Sequence, residues 1–133
     1  MHKLLSSLTS IVAVIVLTTA GCKKSSTPPP PEQDLIISTD AASYTIIPGP
    51  SLTFRLKIES AMPSSGVRIE YTVVSEIDNQ NYPQGSAIYT YNPTSAITIG
   101  GLPQQKICIC TIKVTSMSKG TNTATTSFRV GYK

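Results

Sequence analysis

The sequence predicts an all-β fold, a two-sheet sandwich of about seven strands. Apolar and polar residues alternate with period two in several runs, no window carries a helical stripe, and β-branched residues dominate throughout. Turn-forming residues cut the 100 residues from Asp34 to Lys133 into short segments, the spacing expected of a sandwich.

Each element follows from its own pattern. Leu35 to Ser38 predicts a short first strand, with Tyr44 to Ile47 as its continuation. Pro48-Gly49-Pro50 ends that run and leads into Ser51 to Ser60, where Leu52, Phe54, Leu56 and Ile58 alternate with Thr53, Arg55, Lys57 and Glu59. Met62-Pro63-Ser64-Ser65-Gly66 is a turn. The next strand, Val67 to about Ile77, sets Val67, Ile69, Tyr71 and Val73 against Arg68, Glu70 and Thr72. Asp78 to Gly85 predicts a polar loop, followed by strands at about Ala87 to Tyr91 and Ala96 to Ile99, with Asn92-Pro93 between them. Gly100-Gly101-Leu102-Pro103 introduces a long strand from Ile107 to about Ser116. Lys119-Gly120-Thr121-Asn122 turns the chain into the last one, Thr123 to Tyr132.

Upstream of Asp34 the composition changes. Met1-His2-Lys3 is basic, Leu4 to Leu17 is largely apolar, and small residues lead to Cys22, the pattern of a secretory signal. Thr19-Ala20-Gly21-Cys22 resembles the lipobox of bacterial lipoprotein precursors, with Thr19 where that family usually carries leucine. The resemblance implies cleavage before Cys22 and a lipid on its thiol. The alternative is an uncleaved anchor, because the 18 residues from Leu4 to Gly21 lie near the lower limit for a spanning helix. Residues 22–33 then read as the lipidated cysteine and a tether, with Pro28 to Pro31 favouring extended polyproline II geometry. Lys23 and Lys24, with no acid beside them, favour the outer membrane over retention at the inner one.

Within the domain, Leu102 and the inward run Cys108, Cys110, Ile112 and Val114 are similar to the turn and strand F of fibronectin type III domains, with Cys108 at the position of that family's tyrosine. The resemblance implies an immunoglobulin-like, fibronectin III-like sandwich. Lipid anchor, proline tether and such a domain together resemble the N-terminal part of outer-membrane glycan-utilisation lipoproteins of the starch-binding type, which implies a location and a scaffold.

The chemistry available is limited. The single histidine is His2, inside the signal segment, so the mature chain has no imidazole for Ser-His or Cys-His catalysis. A 100-residue sandwich lacks the inserted loops that bury a carboxylate pair, and the expectation is a non-enzyme without cofactor. Cys108 and Cys110 sit two apart on one strand, about 6.6 Å between positions, too far for a mutual disulfide, and read as core. Copper or zinc binding by this pair would need ligands from elsewhere, with Met62 and Met117 as soft donors. The run Asp78-Asn79-Gln80-Asn81 lacks the glycine and distal glutamate of a calcium loop, and no metal is expected. All seven acidic residues lie between Glu32 and Asp78, while the five basic residues beyond Asp78 are scattered singly, a pattern unsuited to nucleic acid.

Two functions from different classes stay open. One is a protein-interaction or structural module docking on another envelope protein. The other is a carbohydrate-binding module in which Tyr82, Tyr89 and Tyr91 stack on sugar rings while Asn79 and Asn81 bond hydroxyls.

Overall fold

The computed structural model describes residues 27–133. The signal segment, the lipobox and Cys22 lie outside the described residues.

Among the described residues, nine strand segments make up two sheets: β1 (Ile37–Thr39), β2 (Tyr44–Ile47), β3 (Leu52–Ile58), β4 (Val67–Ser75), β5 (Asn81–Tyr82), β6 (Ile88–Thr90), β7 (Thr94–Ile99), β8 (Ile107–Ser116) and β9 (Thr123–Tyr132). The smaller sheet has the order β1-β3-β7, and the larger one β2-β9-β8-β4-β5, with β6 also paired to β4. This is an immunoglobulin-like sandwich. The nine segments form seven extended runs, because β1 and β2 are one run that changes sheets and β5 and β6 lie along the same edge of β4.

The change of sheets is made by Asp40. Its N–H donates to the Arg55 carbonyl (3.2 Å) and its Oδ1 accepts from the Arg55 N–H (2.7 Å), closing the pairing of β1 with β3. Three residues later the Ser43 carbonyl accepts the Arg129 N–H (2.9 Å), and β2 continues parallel to β9 with Tyr44 opposite Arg129. The polar segment between the two runs is thus bonded to both sheets in turn, leaving little unpaired backbone at the crossing.

Alternation decides what enters the interior. Phe54, Leu56 and Ile58 of β3 and Ile97 and Ile99 of β7 face Val67, Ile69 and Val73 of β4, the Cys108 to Val114 row of β8, and Phe128 and Val130 of β9; all are buried. Phe54 and Phe128 meet edge-to-face across the two sheets, with centroids 4.9 Å apart and rings inclined at 79°. That geometry sets the positive ring edge against a negative face. Cys108 and Cys110 are free thiols inside this layer. Burial pushes the Cys110 thiol up to about 12, so it stays protonated and behaves as a small hydrophobe.

Two long strands, β8 and β9, have the bounds their alternation predicts. Other boundaries differ for local reasons. β4 stops at Ser75 rather than Ile77, because the chain turns there, the Asn79 N–H donating back to the Ser75 carbonyl (3.1 Å), and Ile77 is left 79% exposed. The expected loop Asp78 to Gly85 contains β5, a two-residue strand in which Asn81 and Tyr82 pair with Val74 and Val73.

Removing the inter-sheet aromatic contact tests this core. Phe54→Ala should lower unfolding stability by about 3–5 kcal/mol in urea titration, the cost of an unfilled aromatic site. A loss below about 1 kcal/mol would mean that the two sheets do not depend on this pair.

Candidate binding surface

The outer face of the larger sheet collects the residues that alternation turns away from the core. At one end, Tyr89 of β6, Arg68 of β4 and Thr115 of β8 stand in one cross-strand row. One step further, Gly66 and Tyr91 follow, beside Met117, whose N–H donates to the Gly66 carbonyl (3.0 Å). Tyr89 is 64% exposed, Tyr91 70% and Met117 47%, so three large apolar surfaces share this end of the sheet.

Glycine makes the arrangement possible at position 66. Its φ is +76°, and a Cβ there would lie 2.7 Å from the Thr90 carbonyl oxygen and 3.2 Å from the Tyr91 ring. A side chain would therefore be strained twice over, by backbone and by contact. The turn Pro63 to Gly66, closed by the Gly66 N–H on the Pro63 carbonyl (2.9 Å), delivers that glycine beneath the tyrosine. The Tyr91 ring passes close to this glycine and is otherwise largely exposed, at 70%.

The other residues of the expected sugar platform go elsewhere. Tyr82 lies opposite Val73, five residues along β4 from Arg68, the partner of Tyr89, a separation of about 17 Å. It also points to the other side of the sheet. Cross-strand partners share a face, so Tyr82 follows Val73 inward, packs half-buried against the core, and donates its hydroxyl to Gln80 Oε1 (3.2 Å). Asn79 has φ +55° and closes the β4–β5 turn, its N–H on the Ser75 carbonyl (3.1 Å), a left-handed position in which asparagine is tolerated. Asn81 is exposed at that same far end, opposite Val74. The structure therefore brings Tyr89 and Tyr91 together and separates both from Tyr82, Asn79 and Asn81.

The far end carries two ion pairs. Lys106 Nζ and Asp78 Oδ2 are 2.7 Å apart, as are Arg129 Nη2 and Glu76 Oε2. Lys106 holds the Asp78 carboxyl well below the usual carboxylate range. Arg129 also lies 5.3 Å from the centre of the Tyr44 ring, a cation–π contact. Charges at this end are thus paired beside the exposed Tyr44 and Ile46 of β2, whereas the Tyr89–Tyr91 end sets three exposed apolar side chains beside a single pair, Arg68–Glu70 (3.2 Å).

That apolar end is also where the N-terminal segment joins the domain, through Asn122, a residue the sequence marks only as a turn former. Its Nδ2 donates to Glu32 Oε1 (2.6 Å) and to the Gln33 carbonyl (2.8 Å), and its Oδ1 accepts the Leu35 N–H (2.9 Å). Its backbone bonds Ser116 and Lys119 as well, so every polar group of this buried side chain and its peptide is used. Docking thus begins at Glu32, two residues before the domain start read from the sequence. The Ser116 hydroxyl and then the Asn122 amide hold the Glu32 carboxyl below its ordinary value.

Among the described residues, no three His, Cys, Asp or Glu side chains converge as a metal site, and no helix is long and apolar enough to cross a membrane. Comparison with known protein families, curated proteins and solved structures returns no match for this chain.

The clamp is open to measurement by hydrogen exchange at the Leu35 amide. Asn122→Ala should cost about 1–3 kcal/mol of local protection, since it unpairs a buried N–H. Acid should act in the same direction. A carboxyl with a depressed folded pKa contributes stability in full above its unfolded value, near 4.3, and loses it as pH falls through the folded one. Leu35 protection should therefore hold from neutrality to about pH 5 and decline below about 4. Exchange at Leu35 as fast as at a free amide in the native chain would show that the segment is not docked.

Proposed function

We infer that this chain is a lipid-anchored lipoprotein of the outer membrane whose immunoglobulin-like domain acts as a non-catalytic interaction module in the cell envelope. The anchor reading rests on the lipobox-like Thr19-Ala20-Gly21-Cys22, the apolar run before it and the proline-rich segment after it. The interaction reading rests on one observation above all. Tyr89, Tyr91 and Met117 form a cluster of exposed large side chains at one end of the outer sheet face, beside Arg68 and its partner Glu70 (3.2 Å). Exposed tyrosines in a cluster with arginine beside them are the composition of protein-binding centres.

A glycan reading keeps one specific support. Tyr89 and Tyr91 lie two residues apart on the same face, and Tyr91 is backed by Gly66, so its ring offers a sugar a fixed platform. That platform has two tyrosines rather than three, since Tyr82 belongs to the core face.

One set of membranes tests both readings. The full chain, expressed with its own N-terminus, should fractionate with membranes, and Cys22→Ser should release it to the soluble fraction. A Cys22→Ser chain that remains membrane-bound would overturn the lipid anchor.

The doubly substituted Tyr89→Ala, Tyr91→Ala chain should lose affinity for its envelope partner by roughly 30-fold or more, the effect of two aromatic anchors, with unfolding stability unchanged. Undiminished capture by this variant would remove the surface from consideration. If the ligand is instead a polysaccharide, the unsubstituted chain is retained on it and the double variant is not.

A further inference from the structure

The parity of hydrogen bonding in the smaller sheet leaves β7 as an open edge. The Ile58 N–H donates to the Pro93 carbonyl (2.7 Å), and β3 and β7 pair Leu56 with Ser95, Phe54 with Ile97 and Leu52 with Ile99. In an antiparallel ladder bonded and non-bonded pairs alternate, so Ser95, Ile97 and Ile99 spend their backbone groups on β3. The intervening Thr94, Ala96 and Thr98 turn N–H and C=O away from it. On the opposite side of β3, Glu59 and Arg55 bond Ile36 and Asp40, the complementary parity. Among the described residues, nothing bonds the outward groups of Thr94, Ala96 and Thr98, and all three side chains are exposed.

The next outward position on this edge is occupied, and the occupant is instructive. The Gly100 N–H donates to Gln84 Oε1 (3.0 Å) and the Gly100 carbonyl accepts from Gln84 Nε2 (3.0 Å). A carboxamide thus bonds both groups of one residue, as the peptide of an adjoining strand would. The edge is shaped for such a partner, and Gln84 ends it at Gly100.

The usual protections of a strand edge are missing from the open stretch. Thr94 to Ile99 contains no proline, charge or bulge, and its outward side chains are two threonines and an alanine. The stretch is also palindromic in shape, threonine, alanine, threonine at every second position. A two-fold axis at Ala96 sets Ala96 against Ala96 and Thr94 against Thr98, giving two hydrogen bonds at each of three pairs, about six in all. Like charges do not oppose this. The nearest cations, Arg55 and Lys57 on β3, would be separated from their two-fold mates by about three strand spacings, some 14 Å, beyond the physiological screening length.

We propose that β7 is a self-association edge, through which two copies of this chain join their smaller sheets into one continuous antiparallel sheet across the dimer. The pairing is short and polar, so it is weak between free chains. It becomes appreciable when copies share a surface, where the local concentration is high.

Cysteine scanning of the full chain in its own membrane tests the register. Ala96→Cys places two thiols across the axis at a Cα separation of about 5.5 Å, within disulfide reach. Thr98→Cys places them about 14 Å apart, out of reach. The unsubstituted chain, with Cys22, Cys108 and Cys110, gives the background. Under mild oxidation the Ala96→Cys chain should form a disulfide-linked dimer at least five-fold above both the Thr98→Cys chain and the background. Equal cross-linking of the two variants, or none above background, overturns the proposal, as does a dominant product joining Ala96→Cys to a different protein. Ala96→Pro gives a second readout. It removes an N–H that β3 does not use, and should abolish lysine-directed cross-linking of the dimer while leaving the β-sheet circular dichroism unchanged.

Discussion

Strict side-chain alternation on β4, β8 and β9 is the constraint from which the rest of the molecule follows. These three strands are paired in one uninterrupted register, from Val67 opposite Ser116 to Ser75 opposite Cys108, and onward from Cys108 opposite Val130. A slip of one residue would turn Ile112, Val114 and Phe128 to solvent and carry Lys113 and Arg129 inside. Because the apolar set is so one-sided, no other register is competitive. With the register settled, the fate of each remaining side chain is a matter of parity. Cys108 and Cys110 become core, Tyr89 and Tyr91 become surface, and Tyr82, on a strand that restarts the count, falls inward.

The two ends of the larger sheet differ in how their exposed groups are partnered. At the end bearing Glu76, Asp78, Lys106 and Arg129, the two acids of the turn after β4 come within 2.7 Å of Lys106, just before β8, and Arg129 of β9. Exposed pairs of this kind contribute little to stability, but they leave a surface without strong unmet demand. At the end bearing Gly66, Tyr91 and Met117, apolar area stays uncovered. The pole that carries Tyr91 and Met117 is the one at which the N-terminal segment docks on Asn122.

Much of this was legible beforehand. The bounds of β8 and β9, the inward row from Cys108 to Val114, and the strand Tyr44 to Ile47 could be read because each is a local property of consecutive residues. What escaped was relational. Nothing near Asn79 or Asn81 announces that two residues of a polar run will pair with Val74 and Val73, so the three tyrosines looked like one platform. Asn122 reads as a turn residue, and its grip on Glu32 spans 90 positions. The open edge of β7 depends on which strands flank β3, a fact of sheet order that alternation alone does not contain.

The switch of the first run from one sheet to the other has a mechanical meaning. After leaving β3 at Asp40, the chain lies parallel to β9 over Tyr44–Ile47, matched to Arg129–Tyr132. The N-terminal segment enters the sandwich at the Asn122 pole, while Lys133 leaves at the other, its N–H on the Ile47 carbonyl (3.2 Å). Tension between Leu35 and Lys133 therefore runs along the strands and slides β2 past β9. It loads the bonds of that ladder together as a lap joint instead of opening them singly as a zipper.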